Sequence, residues 1–189
     1  MRLQNKVIIV TGATAGIGGA IATACIREGA KVLVHGINES EGKALIAKLG
    51  DNAKLFLADL FDPNSPTLIV ESAISHFGKI DGLVNAAGGN IPNAVVQPNQ
   101  DVFELNFQAL QEVMQLNLMG TVMPTQVFGK AIKKNGSGSI VNISSVNAKR
   151  TVTRGLGYSM GKAAIDLYTK WFAVEMANRY GDAVRINSI

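Results

Sequence analysis

The residues best placed to do chemistry together are Ser145, Tyr158 thirteen positions later, and Lys162 four positions beyond that. Residues four apart share one face of a helix, so a helical 158–162 segment turns the phenol and the ammonium into one site. A free tyrosine ionises near pH ~10, too high for acid–base work near neutrality. A neighbouring ammonium favours phenolate and lowers that value, each unit representing about 1.36 kcal/mol. A phenol so tuned is a general acid and base at physiological pH. Taken alone, Tyr-x-x-x-Lys is also the pattern of an exposed helix pair. What surrounds it has to decide.

A second candidate lies near the N-terminus, where Thr11-Gly12-Ala13-Thr14-Ala15-Gly16-Ile17-Gly18 follows the apolar run Val7 to Val10 and opens into Gly19-Ala20-Ile21-Ala22. Glycines let the backbone approach a pyrophosphate closely, and the helix N-terminus adds N–H groups and partial positive charge. A strand, a glycine turn and a helix in that order predict a nucleotide site. The spacing is Gly-x-x-x-Gly-x-Gly, unlike the ordinary Gly-x-Gly-x-x-Gly fingerprint.

The elements that must carry these groups are legible in the hydrophobic pattern. Val7 to Val10, Lys31 to His35, Lys54 to Ala58, Gly82 to Val84, Ser139 to Ile143 and Val184 to Ile189 read as strands buried on both faces. Between them, Ile17 to Glu28, Ser40 to Leu49, Pro66 to Phe77, Leu110 to Lys134 and Tyr158 to Tyr180 read as helices. Alternation from start to finish predicts a doubly wound α/β fold, Rossmann-like, with three α/β/α layers and ligands along the strand C-termini. Pro124 lacks an N–H for Gly120, so a kink is expected just beyond Asn117.

Composition agrees with one globular domain: 189 residues, 47% hydrophobic and 17% charged. The net charge of +4 is spread along the chain, which gives no nucleic-acid surface. One cysteine and two histidines disfavour a zinc site, and no metal is expected. No apolar run approaches the roughly 20 residues of a membrane span, and Met1 to Lys6 lack a signal-peptide core, so the expected compartment is the cytoplasm. Cys25 reads as a buried small hydrophobe, and His76 before Gly78 suits a helix C-terminus.

The glycine turn, Asp59-Leu60, Asn85-Ala86-Ala87-Gly88, Asn117, Ser145, Tyr158 and Lys162 occur in the order of the short-chain dehydrogenase/reductase family, which the chain resembles over essentially its whole length. The resemblance implies an NAD- or NADP-dependent enzyme. In it Tyr158 exchanges a proton with the carbonyl or hydroxyl oxygen and Ser145 polarises that oxygen. Lys162 lowers the tyrosine pKa and holds the nicotinamide ribose, and Asn117 anchors a water in the proton relay. It likewise implies cofactor contacts from Gly12, Thr14, Gly16, Ile17, Gly18, His35, Gly36, Ile37, Asp59, Leu60, Asn85, Ala86, Ala87 and Gly88, together with Tyr158 and Lys162. Asp59 would bind the adenine amino group; as a residue it also reads as a turn cap before Pro63. Gly36 and Ile37 stand where an acid would select NAD or a base NADP, leaving a slight lean to NAD. His35 could donate to a phosphate or pack as a strand residue.

Several segments resemble the D-mannonate oxidoreductase (fructuronate reductase) type and sugar dehydrogenases of the gluconate class: 83–90, 117–124, Arg150-Thr151-Val152-Thr153-Arg154 and Thr169-Lys170-Trp171. Arg150 and Arg154 could bind a sugar-acid carboxylate by paired hydrogen bonds, and Asn90 and Asn147 its hydroxyls, or all four could be solvated loop residues. The family forms dimers through the helices at 110–134 and 158–180, so a homodimer or homotetramer is expected. The chain stops near the start of the family's sixth strand, which predicts a C-terminally incomplete domain without the last strand and the substrate-covering helices. A nucleotide-binding or assembly subunit without complete catalysis is the alternative expectation.

Overall fold

The computed structural model describes residues 1–150 and 153–189; Thr151 and Val152, inside the 150–154 segment noted above, lie outside the described residues. The elements are β1 (Val7–Thr11), α1 (Gly16–Arg27), β2 (Lys31–Gly36), α2 (Glu39–Leu49), β3 (Ala53–Leu57), α3 (Ser65–Phe77), β4 (Gly82–Asn85), α4 (Phe107–Met114), α5 (Gly120–Lys134), β5 (Gly138–Asn142), α6 (Leu156–Tyr180) and β6 (Val184–Ser188). The strands form one parallel sheet in the order β3-β2-β1-β4-β5-β6. The chain steps outward from β1 to β3, then returns to the other side of β1 with β4. That reversal opens a crevice at the C-terminal ends of β1 and β4, where doubly wound folds bind ligands.

The period of two along each strand sends alternate residues to opposite faces. Ile9, Leu33, Leu83, Ile140 and Ile186 meet Ile69 of α3, Phe128 and Ile132 of α5 and Met176 of α6. Ile8, Val10, Val32, Val34 and Val84 pack with Ala22 and Cys25 of α1 on the other face. The expected three-layer Rossmann-like fold is the observed one. Burial on both faces holds for β1 and β4 but not throughout, because β3 is largely half-buried and β6 alternates buried Val184 and Ile186 with exposed Arg185 and Asn187. Both are the outer strands of the sheet.

The long helix differs in detail from its sequence pattern. It begins at Phe107, three residues early, because Asn106 Oδ1 caps it by accepting from the Ala109 N–H at 3.1 Å. Between α4 and α5 it widens into a π-turn over Gln115–Met119, and α5 then continues through Pro124. The backbone adjustment expected just beyond Asn117 therefore surrounds Asn117 itself. Thr121 Oγ donates to the Asn117 carbonyl at 3.2 Å.

Candidate active site

The motifs meet in one chain of contacts across the crevice. At the far end the His35 ring stands 3.0 Å from the Ala58 carbonyl, beside Asp59 and Leu60, while Ala58 N–H donates to the Gly36 carbonyl. Ala13 N–H donates to the His35 carbonyl at 2.7 Å, and the Thr14 side chain fills the space where Gly36 would carry a Cβ. The turn then presses on the end of β4. Gly12 has φ +61, and a Cβ there would lie 2.6 Å from Ala87 Cα, so only glycine fits. Thr11 Oγ accepts from both the Ala86 and Ala87 N–H groups, clamping the two strand ends together.

Beyond Ala87 the contacts become polar. Gly88, at φ +149, has its missing Cβ position 2.7 Å from Asn117 Oδ1 and 3.4 Å from Lys162 Nζ. The buried Asn117 side chain is held three ways: Nδ2 donates to the Gly89 and Val113 carbonyls at 2.7 and 2.8 Å, and Oδ1 accepts from the Gly89 N–H. Buried Lys162 donates to the Ile143 carbonyl at 2.7 Å, and its Nζ lies 5.6 Å from the centre of the Tyr158 ring. Burial lowers the Lys162 pKa from 10.5 to about 8, opposed by the charge of Asp166 one turn on. Ser145, just beyond β5, accepts from the Asn147 N–H through Oγ, which leaves its hydroxyl hydrogen available.

The short chain dehydrogenase family profile matches residues 6–189. The chain belongs to that family. Among curated relatives, the oxidoreductase UxuB of Bacillus subtilis, itself uncharacterized, is 31% identical over 99% of this chain and 70% of its own length. D-threitol dehydrogenase of Mycolicibacterium smegmatis is 34% identical over 100% of this chain and 70% of its own. A crystal structure from Haemophilus influenza with bound NAD, provisionally called a D-mannonate oxidoreductase, superposes with a TM-score of 0.88 at 30% identity, covering 99% of this chain and 70% of that one. This short-chain dehydrogenase is accordingly an NAD(P)-dependent oxidoreductase of the alcohol–carbonyl type.

The cofactor crevice of this short-chain dehydrogenase suits a dinucleotide. The N-terminus of α1 has no side-chain cap and no acidic residue in its first turn, and outside its own helix and chain neighbours no described residue lies within 4 Å of the Cβ position of Gly16. Free N–H groups over open space are what a pyrophosphate requires. Ile17, the next residue after Gly16, is exposed, as is Ile37 just after β2. Other candidates sit differently from one another. His35 is 2% exposed with Nδ1 unpartnered, and burial depresses its pKa. Asp59 Oδ1 accepts from the Phe61 N–H as a turn cap, and Leu60 is a core residue. Asn85 points inward, donating to Thr125 Oγ and Asn142 Oδ1. Asn147, Arg150 and Arg154 line a surface cleft of about 770 Å³ that includes Lys149 and no acidic side chain among its described lining. Neither Ser145 nor Tyr158 is among the described residues that line it.

Two features of the site escaped the sequence reading. Asn142 and Thr169 extend the buried network from Asn85, with Asn142 Nδ2 donating to Thr169 Oγ at 2.8 Å. Gly157 and Gly161 let α6 settle onto α4 and the π-turn: a Cβ on Gly157 would lie 2.7 Å from Leu110 Cδ1, and one on Gly161 3.1 Å from Asn117 Cβ. Their four-residue spacing, interleaved with Tyr158 and Lys162, is the signal that could have revealed the packing.

Proposed function

We propose that this oxidoreductase acts on a sugar acid, interconverting a ketone such as D-fructuronate and its alcohol D-mannonate, with NAD as the preferred cofactor. The nicotinamide supplies or accepts the hydride. The observation that carries the catalytic reading is the convergence of Gly88, Asn117 and Lys162 beside Tyr158 at the crevice. In this reading Tyr158 gives its hydroxyl proton to the carbonyl oxygen during reduction and takes it back during oxidation. Ser145 turns its free hydroxyl hydrogen to the same oxygen. Lys162 holds positive charge near the phenol and offers its remaining donors to the nicotinamide ribose. Asn117 fixes Gly88 and Gly89, and a spare lone pair on its Oδ1 can hold a water towards Lys162.

The preference for NAD is supported by charge. The ordinary place for a 2′-phosphate, beyond β2, offers buried His35 and apolar Ile37, while the first turn of α2 brings Glu39 and Glu41. Lys43 is paired with Glu39 at 2.6 Å. A dianionic phosphate would meet two carboxylates and an engaged lysine; two ribose hydroxyls would not. The acid-free cleft containing Arg150 supports an anionic substrate, as does the likeness to the H. influenza protein. We also propose self-association through the exposed apolar residues of α6.

The test is absorbance of the reduced cofactor with D-fructuronate, compared with D-threitol and NAD in the oxidative direction. NADH should be preferred to NADPH, D-fructuronate should be the better substrate, and Tyr158→Phe should lower kcat/KM by about 10²–10⁴-fold with NADH binding retained. Turnover of D-threitol alone would remove the substrate assignment, and an undiminished Tyr158→Phe would remove the mechanism.

A further inference from the structure

Two loops flank the proposed reaction centre: residues 86–106, between β4 and α4, and the described residues 143–150 and 153–155, between β5 and α6. They are tied at Arg154. Its Nε donates to the Val96 carbonyl at 2.7 Å, its Nη2 reaches Gln97 Oε1 at 3.4 Å, and its carbonyl accepts from the Val96 N–H at 2.9 Å. Among the described residues, the hydrogen bonds that join residues 92–104 to the second loop all run to Arg154. The segment is otherwise folded on itself. Gln97 N–H donates to Gln100 Oε1, Gln97 Nε2 to the Val95 carbonyl, and Gln100 Nε2 to the Glu104 carbonyl.

Arg154 also has φ +74, in the left-handed region where a side chain is disfavoured and glycine or asparagine is the usual occupant. Such a conformation persists only where the surroundings over-determine it. Here three hydrogen bonds do so, and two of them need the guanidinium. The next residue, Gly155, lies against the start of the same first loop: a Cβ on it would be 3.5 Å from Asn90 Nδ2. The joint at Arg154 and Gly155 thus receives the first loop at two points, immediately before the turn of α6 that carries Tyr158.

We infer that Arg154 is a positioning residue, which clasps the 92–104 segment against the start of α6 and so fixes one wall of the surface cleft that Asn147 and Arg150 also line, and that it does not bind the substrate's carboxylate. The inference rests on the acid–base reading of Tyr158 proposed above but not on the acidity of the substrate. A planar guanidinium holds a backbone carbonyl and an amide oxygen at once, whereas the single ammonium of lysine cannot reproduce that fork.

The test compares wild type, Arg154→Lys and Arg154→Gly with two ketoses, D-fructuronate and uncharged D-fructose, alongside NADH calorimetry and amide hydrogen exchange. Both variants should bind NADH within about 2-fold of wild type yet raise KM for both sugars by about 10-fold or more, because a displaced wall no longer holds the body of the sugar in place. Exchange should quicken through residues 92–104 in both. Arg154→Lys keeps the charge, so its failure to rescue separates the clasp from an anion site. A KM increase confined to D-fructuronate, with Arg154→Lys near wild type, would overturn the inference in favour of direct carboxylate binding. Unchanged exchange across 92–104 in both variants would overturn it as well. Should wild type reduce neither sugar, the substrate assignment fails, while hydrogen exchange still decides the clasp.

Discussion

Lys162 brings a positive charge into the protein interior, 5% exposed, with the Ile143 carbonyl as its hydrogen-bond acceptor. Burial is the dominant influence and lowers its pKa to about 8, against 10.5 in the unfolded chain. Because the folded value is the lower one, the unfolded chain binds more protons between about pH 8 and 10.5. Folding stability from this group therefore rises with pH across that window. Below it the buried charge carries a constant penalty of at most roughly 3 kcal/mol. Urea unfolding of wild type and Lys162→Met, followed from pH 7 to 10.5, should show the difference moving in favour of wild type as pH rises. A difference that stays flat would mean that the lysine titrates at its ordinary value. The four-residue spacing of Tyr158 and Lys162 was enough to put them on one helix face. The depressed pKa was not legible, because it depends on how closely α6 settles onto α4 and the π-turn.

That closeness is an element-scale property, and it depends on Gly157 and Gly161. A side chain at 157 would strike Val113 and Leu110 and crowd the Leu110 carbonyl at 3.3 Å. Gly157→Val should therefore cost about 1–3 kcal/mol of stability through overpacking and lower kcat/KM by lifting Tyr158 and Lys162 away from Asn117. Gly120→Ala is the control: outside its own helix and chain neighbours no described residue lies within 4 Å of its Cβ position, and a helical alanine is favoured by up to about 1 kcal/mol. Urea midpoints and steady-state rates on both variants check the contrast; equal stability of the two would mean that α6 and α4 are not in tight contact. Apolar spacing predicted both long helices, but not the start at Phe107, whose ring is exposed and so breaks the amphipathic pattern. The π-turn was equally hidden. Its central residue is held by Gly89, 28 positions away, and no local pattern encodes that partner.

At the scale of the molecule, alternating strands and helices were sufficient for the fold class, since each parallel crossover needs a covering helix. The buried network from Asn85 through Asn142 to Thr169 was not foreseeable, because it joins residues 57 and 27 positions apart across two strands and a helix. The same helix presents a different face outward. Leu167, Val174 and Trp171 are 70%, 59% and 55% exposed, with Met160 and Ala163 continuing the stripe towards the helix start. Their spacing of three and four residues makes one apolar face, and contiguous exposed apolar surface marks an interaction site. Self-association through this face predicts a native mass that is a multiple of 20.0 kDa in sedimentation experiments. Leu167→Glu places a carboxylate at the most exposed of the stripe's large apolar positions and should shift the distribution towards the single chain while NADH binding is kept. A wild-type protein that sediments as a single chain would refute the assignment. So would a Leu167→Glu variant whose assembly is undisturbed, because a charge buried without a partner in a helix-to-helix contact costs several kcal/mol.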